Sequence, residues 1–121
     1  MRAKLFIFIA TLFIISCGKN DAEQFVGTYN GEVTCEDEPS ESYTSIIIIT
    51  EGSEDNKVNV SITSDGETFI VNGTVDEKKI TIPNQEISEL EEFISGTGSI
   101  SGNNLTIDFI LDGVCTFEGS K

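Results

Sequence analysis

The chain has 121 residues and a formal net charge of −14, with 21 acidic side chains against seven basic ones. Such an acidic chain repels the phosphates of nucleic acid, which excludes nucleic-acid binding as its function. It contains no histidine and no tryptophan. Without histidine, serine triads, cysteine–histidine pairs and histidine-ligated metal sites are excluded, and the sequence carries no other catalytic signature.

The first 16 residues have the organisation of a secretory signal peptide. Arg2 and Lys4 precede an apolar run, Leu5–Ile15, that is interrupted only by Thr11. This run is too short to be a transmembrane helix, which needs about 20 residues. Residues 1–16 are therefore predicted to be removed on export.

The sequence Ile14-Ile15-Ser16-Cys17 resembles the lipobox of bacterial lipoproteins. The resemblance implies cleavage before Cys17, lipidation of Cys17 and attachment to a membrane through its acyl chains; an ordinary signal peptide with an incidental thiol is the alternative. Residues 17–24 are predicted to be the lipidated cysteine and a flexible tether. Lys19 followed by acidic residues is similar to the surface-export signal of Bacteroidetes lipoproteins. The expected location is the cell envelope, on the outer membrane, facing the periplasm or the cell surface.

The rest of the chain, residues 25–121, has the length of one small domain. All 21 acidic residues follow residue 16, against five lysines, which gives the mature protein a net charge of −16. Two cysteines remain in this part, Cys35 and Cys115. Because an exported protein lies where disulfides persist, they are predicted to form one disulfide bond, with free thiols as the alternative.

From Phe25 onward, apolar and polar residues alternate with the period of two that is typical of β-strands. The alternation predicts eight strands: Gly27–Cys35, Tyr43–Thr50, Lys57–Thr63, Glu67–Asp76, Lys79–Ile82, Phe93–Ser101, Leu105–Asp112 and Val114–Gly119. Asn72-Gly73 is either part of the fourth strand or a turn that divides it, and we keep the strand whole. The segment Asn84–Glu92 is either a loop or a short helix.

Eight short strands, joined mostly by hairpins, predict an all-β fold: an eight-stranded antiparallel up-and-down barrel, with a two-sheet β-sandwich as the alternative. Cys35 ends the first strand and Cys115 begins the eighth, so the two residues meet if these strands pair antiparallel. A disulfide there closes a loop of about 80 residues and contributes roughly 4 kcal/mol in the chain-entropy account.

Several motifs resemble those of small lipocalin-like lipoproteins of Bacteroidetes, and the resemblance covers most of residues 25–121. They are Phe25-Val26-Gly27-Thr28-Tyr29, Ile82-Pro83-Asn84-Gln85, Gly96-Thr97-Gly98-Ser99-Ile100-Ser101-Gly102-Asn103 and Cys115. Gly27-Thr28-Tyr29 takes the place of the Gly-x-Trp motif that begins a lipocalin barrel. The arginine that packs on that tryptophan has no counterpart apart from Lys121. The resemblance implies a lipocalin-like barrel.

Four aromatic residues face inward in this arrangement and are candidate contacts for a small apolar ligand: Tyr29, Phe69, Phe109 and Phe117. Since eight strands enclose either packed side chains or one small ligand, core packing is the alternative.

One end of the predicted barrel collects 11 of the 21 acidic residues: Glu36, Asp37, Glu38, Glu41, Asp65, Glu67, Glu86, Glu89, Glu91, Glu92 and Asp112. The first four lie in the first connection and are candidate ligands for a divalent cation or contacts for a basic partner protein. A solvated rim that deters aggregation is the alternative.

Together these features predict a non-enzymatic, lipid-anchored extracytoplasmic protein that binds a small apolar ligand inside its barrel and needs no cofactor. The alternative is an interaction module of the cell envelope with a filled barrel, whose acidic rim contacts a partner protein or a divalent cation.

Overall fold

The computed structural model describes residues 21–121, apart from residues 39, 89 and 112. The predicted signal peptide, Cys17 and residues 18–20 lie outside the described residues. The secondary structure comprises α1 (Asp21–Phe25), β1 (Gly27–Cys35), β2 (Ser42–Glu51), β3 (Lys57–Ser64), β4 (Glu67–Asp76), β5 (Lys79–Ile87), β6 (Glu92–Ser101), β7 (Asn104–Ile110) and β8 (Val114–Ser120).

The eight strands form a closed barrel in which every strand pairs antiparallel with its neighbours in sequence and β1 pairs with β8. This confirms the predicted up-and-down barrel and excludes the β-sandwich. β1 and β4 have the predicted bounds, and Asn72-Gly73 does not divide β4. β2, β3, β6 and β8 differ from the prediction by one residue at one or both ends.

Two strands differ more from the prediction. β7 begins at Asn104 rather than Leu105 and ends at Ile110, after which the Leu111 N–H donates to the Gly113 carbonyl; residue 112, where the predicted strand ends, lies outside the described residues. β5 runs past Pro83 to Ile87, with a shift in its register against β6 between Ile82 and Gln85. The first part of Asn84–Glu92 is therefore strand, and a turn follows it.

The core lies inside the barrel and is built from the inward positions of the strands. Ile47 and Ile49 of β2 and Leu105 and Ile107 of β7 are all at most 1% exposed. Burial of such side chains supplies the main favourable free energy of folding. Because residues 21–121 contain the whole closed ladder and its core, they form a self-contained folding unit.

The expectation of a flexible tether up to residue 24 is wrong for residues 21–24. These residues belong to α1, whose Ala22 and Phe25 are buried and which contacts β2 and β4. A five-residue helix is not stable alone in water, so these tertiary contacts hold it in place.

Candidate functional site

The topology sorts the connections between two ends of the barrel, which we call the acidic end and the floor. The acidic end carries the connections β1–β2, β3–β4, β5–β6 and β7–β8, and the floor carries α1 and the remaining three connections. Nine of the predicted acidic side chains are described here, and all are exposed: Glu36, Asp37, Glu38, Glu41, Asp65, Glu67, Glu86, Glu91 and Glu92. Glu89 and Asp112 lie outside the described residues.

The lysines have the opposite distribution. All four lysines among the described residues lie at the floor. They are found at the first residue of a strand, in the β4–β5 connection or at the last residue of the chain: Lys57, Lys78, Lys79 and Lys121. The two ends therefore differ in charge, and an anionic ligand is repelled from the acidic end.

Helix α1 closes the floor. Phe25 is fully buried there, and its carbonyl accepts a hydrogen bond of 2.8 Å from the Tyr29 hydroxyl. The Asp21 carboxylate accepts a hydrogen bond from the Glu77 N–H at 3.1 Å, and the Gln24 side-chain amide donates to the Glu77 carbonyl. These bonds attach the helix to the β4–β5 connection.

Lys121 completes the floor from the other end of the chain. Its ammonium group donates hydrogen bonds of 2.7 Å to the Gln24 carbonyl and 2.9 Å to the Val26 carbonyl. It also lies 5.3 Å from the centre of the Tyr29 ring, within the range of a cation–π contact. Gly27 makes this approach possible, because a Cβ there would lie 2.7 Å from Lys121 Cδ and the backbone has a φ of 153°.

Three of the four predicted ligand contacts are core residues in this structure. Tyr29 and Phe117 are completely buried, and Phe109 is only 6% exposed. Burial also raises the pKa of Tyr29 to about 12. Five clefts of about 260 to 520 Å³ lie among the described residues, and none of the five is lined by these three aromatics.

The fourth predicted contact, Phe69, differs from the others because it lies half-buried at the acidic end. It lines a cleft of about 260 Å³ together with Glu67, Thr68 and Leu90. Val33 and Leu111 are also partly buried and pack against the core at this end. Leu90 was not predicted as a contact; its only sequence signal is that it is an apolar residue in a strongly acidic segment.

The disulfide bond between Cys35 and Cys115 is present, as predicted, and joins directly opposed residues of β1 and β8. In the connection that follows β1, the Tyr43 hydroxyl donates its one proton to the Glu38 carboxylate at 3.0 Å, with the Glu41 carboxylate as a second acceptor at 3.3 Å. The hydrogen bond to Glu38, with the charges of Glu38 and Glu41, raises the pKa of Tyr43 to about 12.

The geometry gives no support to a metal site in this connection. Within the described part of the chain, no three carboxylate or cysteine side chains are grouped so that they could hold a metal ion. Glu36, Asp37, Glu38 and Glu41 are all exposed. The rim is therefore a solvated acidic surface in this structure.

The largest of the five clefts, about 520 Å³, lies on the outer face of β7, β8 and β1 rather than inside the barrel. Glu32 and Glu118 stand directly opposite each other there, surrounded by threonine and asparagine side chains. The side chains that line this cleft are mostly polar, as is usual for the solvent-facing side of a β-sheet.

Two solved structures are similar to this barrel. A redesigned beta barrel superposes with a TM-score of 0.66 at 16% identity, covering 86% of this chain and 96% of its own. Fatty-acid-binding protein 1 of Echinococcus granulosus superposes with a TM-score of 0.51 at 17% identity, covering 82% of this chain and 98% of its own. The chain therefore has a barrel fold of the lipocalin and fatty-acid-binding-protein type.

No protein-family model and no curated protein match the chain. Within the described residues, no helix has the length and apolar character needed to span a membrane.

Proposed function

We propose that the protein binds a small apolar ligand at the acidic end of its barrel, in contact with Phe69 and Leu90. The observation that carries this proposal is the difference between the two ends. The floor is closed by α1, with Phe25 fully buried. The acidic end instead leaves apolar side chains half-buried around a cleft of about 260 Å³. Half-exposed apolar surface in a concave site gains free energy when a ligand covers it.

The size and charge of the site define the ligand class. A cleft of about 260 Å³ lies just below the usual range of small-molecule pockets, about 300–1,000 Å³. The exposed carboxylates of the rim repel anions. We therefore propose a small neutral or cationic apolar molecule, rather than the fatty acid that the similar Echinococcus granulosus protein is named for.

Fluorescence titration tests this proposal with the neutral probe phenylnaphthylamine and residues 18–121. Phe69→Ala is expected to weaken binding by about tenfold, since it removes a large apolar contact. Phe93→Ala is the matched control, because Phe93 lies on β6 near the same end but is 58% exposed on the outer face. The anionic probe anilinonaphthalene sulfonate is expected to bind more weakly than the neutral one.

Equal loss of probe binding in the two phenylalanine variants would contradict this site, as would tight binding of the anionic probe at low salt. Unfolding curves of both variants separate a loss of contact from a loss of the fold.

The dense core favours a second function. Because Tyr29, Phe109 and Phe117 pack as core, the barrel is also suited to act as a filled interaction module of the cell envelope. In that function the acidic rim contacts a basic partner protein. An unchanged probe signal in the presence of the protein would favour this alternative. Neither function requires a catalytic group or a cofactor.

We also propose that the protein is exported and anchored by acyl chains on Cys17, on the basis of the lipobox-like sequence. Metabolic labelling with an alkyne fatty acid is expected to label the wild-type protein and not the Cys17→Ser variant. The Cys35→Ser variant is the control and should keep the label. A wild-type protein without label would contradict the anchor.

A further inference from the structure

The first residue of α1 is attached to the floor of the barrel. The Asp21 carboxylate accepts a hydrogen bond of 3.1 Å from the Glu77 N–H, in the β4–β5 connection. The Gln24 side-chain amide donates to the Glu77 carbonyl, and Ala22 and Phe25 are buried beneath the helix. From Asp21 onward, the chain is therefore part of the folded floor.

The covalent connection between Cys17 and α1 is short. Only the three residues Gly18, Lys19 and Asn20 separate Cys17 from Asp21. A polypeptide spans at most about 3.6 Å per residue, so the four residue steps from Cys17 to Asp21 reach at most about 14 Å. An acyl chain on Cys17 would therefore hold the start of α1 within about 14 Å of the depth at which Cys17 lies in the membrane.

The barrel is taller than this connection is long. The ten residues of β4 rise about 30 Å, or roughly 23 Å along the barrel axis at the usual tilt of barrel strands. If the acidic end lay against the membrane, Asp21 would be at least about 23 Å from the membrane surface. Because the connection cannot span that distance, anchoring through Cys17 excludes this orientation.

The charges of the two ends favour an upright barrel over one that lies on its side. The described floor carries four lysines against seven exposed carboxylates, a net charge of −3; the carboxylates are Asp21, Glu23, Glu51, Glu54, Asp55, Asp76 and Glu77. The acidic end has nine described carboxylates and no described lysine. Anionic headgroups repel that end more strongly, over a distance of about 8 Å at physiological ionic strength. An upright barrel holds the acidic end beyond this distance.

We propose that the floor faces the membrane that holds Cys17 and that the acidic end faces away from it. This inference rests on the proposed acyl anchor at Cys17. The floor is then the surface that meets the lipid headgroups, with all four described lysines on that side. The cleft of Phe69 and Leu90 opens away from the bilayer, so its ligand or a basic partner protein approaches from the aqueous phase.

Fluorescence energy transfer to a headgroup-labelled lipid tests the orientation. The full chain, lipidated during export, is reconstituted into vesicles of phosphatidylcholine and phosphatidylglycerol. A dye is attached to Glu54→Cys in the β2–β3 connection at the floor, or to Asp37→Cys in the β1–β2 connection at the acidic end. Both positions are exposed, and both replacements remove one carboxylate. Since Cys35 is bonded to Cys115, the added cysteine takes the dye.

The dye at position 54 is expected to transfer energy at least about twice as efficiently as the dye at position 37, because the acidic end lies roughly 23 Å further from the headgroups. Equal transfer from the two positions, or greater transfer from position 37, would overturn the orientation.

A longer connection tests the physical cause. About twelve Gly-Ser residues inserted between Asn20 and Asp21 add roughly 20 Å of reach, and the difference between the two dyes is expected to fall by about half or more. An unchanged difference would overturn the short connection as the cause of the orientation.

Flotation of the same vesicles separates this inference from the anchor on which it rests. Protein that does not float with the vesicles would contradict the acyl anchor and the orientation together. Protein that floats but transfers energy equally from both positions would contradict the orientation alone.

Discussion

Replacement of Cys35 and Cys115 by serine is expected to lower the free energy of unfolding by about 4 kcal/mol. The disulfide joins the first strand to the last across a sequence separation of 80. Its loss therefore restores much conformational freedom to the unfolded chain and leaves the folded barrel with its hydrogen bonds. Urea unfolding of residues 18–121, followed by circular dichroism, measures the change.

The matched control is the double variant Thr34→Ser and Thr116→Ser, which alters the adjacent residue pair of the same two strands. It is expected to change the free energy by less than about 1 kcal/mol. A loss of less than about 1 kcal/mol in the cysteine variant would show that the six residue pairs between β1 and β8 close the barrel without the disulfide.

Phe25→Ala is expected to lower the free energy of unfolding by about 3–5 kcal/mol, the usual cost of truncating a buried aromatic side chain. Phe25 is completely buried, and its carbonyl holds the hydroxyl of Tyr29, the large aromatic residue of the floor. The variant leaves a cavity beneath α1, so exchange of the Val26 amide, which donates to the Glu23 carbonyl at 3.2 Å, should also accelerate. Denaturant unfolding and hydrogen exchange measure the two effects.

Phe93→Ala again serves as the control, since Phe93 is 58% exposed and packs little. Its expected cost is below about 1 kcal/mol. If the two phenylalanine variants lost the same stability, α1 would not be part of the folded floor.

Strand positions could be predicted because their cause is local. In β4 the inward side chains Val71 and Val75 alternate with exposed Asn72 and Asp76, and the structure follows this period. Likewise, the positive φ of Asp65 and of Gly66 at the β3–β4 turn agrees with the turn preference of an Asp-Gly pair.

The floor and the second half of β5 could not be predicted because their causes are not local. The polar sequence of α1 has only two buried residues, Ala22 and Phe25, so the helix depends on contacts that the sequence pattern does not contain. The predicted fifth strand ends at Ile82, just before Pro83. The structure continues the strand to Ile87, and the side chain of Gln85 forms hydrogen bonds with the backbone of Asn72 in β4.

The candidate ligand contacts could also be predicted only in part from local sequence patterns. Alternation correctly placed Tyr29 and Phe117 on the inner face, where both are fully buried. It could not distinguish a core position from the edge of a cleft, because this depends on which end the helix closes. Phe69 keeps its role as a proposed contact only because it lies at the acidic end.

The most direct test of the proposed ligand site is amide NMR of residues 18–121 during titration with phenylnaphthylamine. The largest chemical-shift changes are expected at Thr68, Phe69 and Leu90, while the amides of Ala22 and Tyr29 at the floor should keep their positions. Changes confined to the floor, or none at saturating probe, would contradict a ligand site at the acidic end.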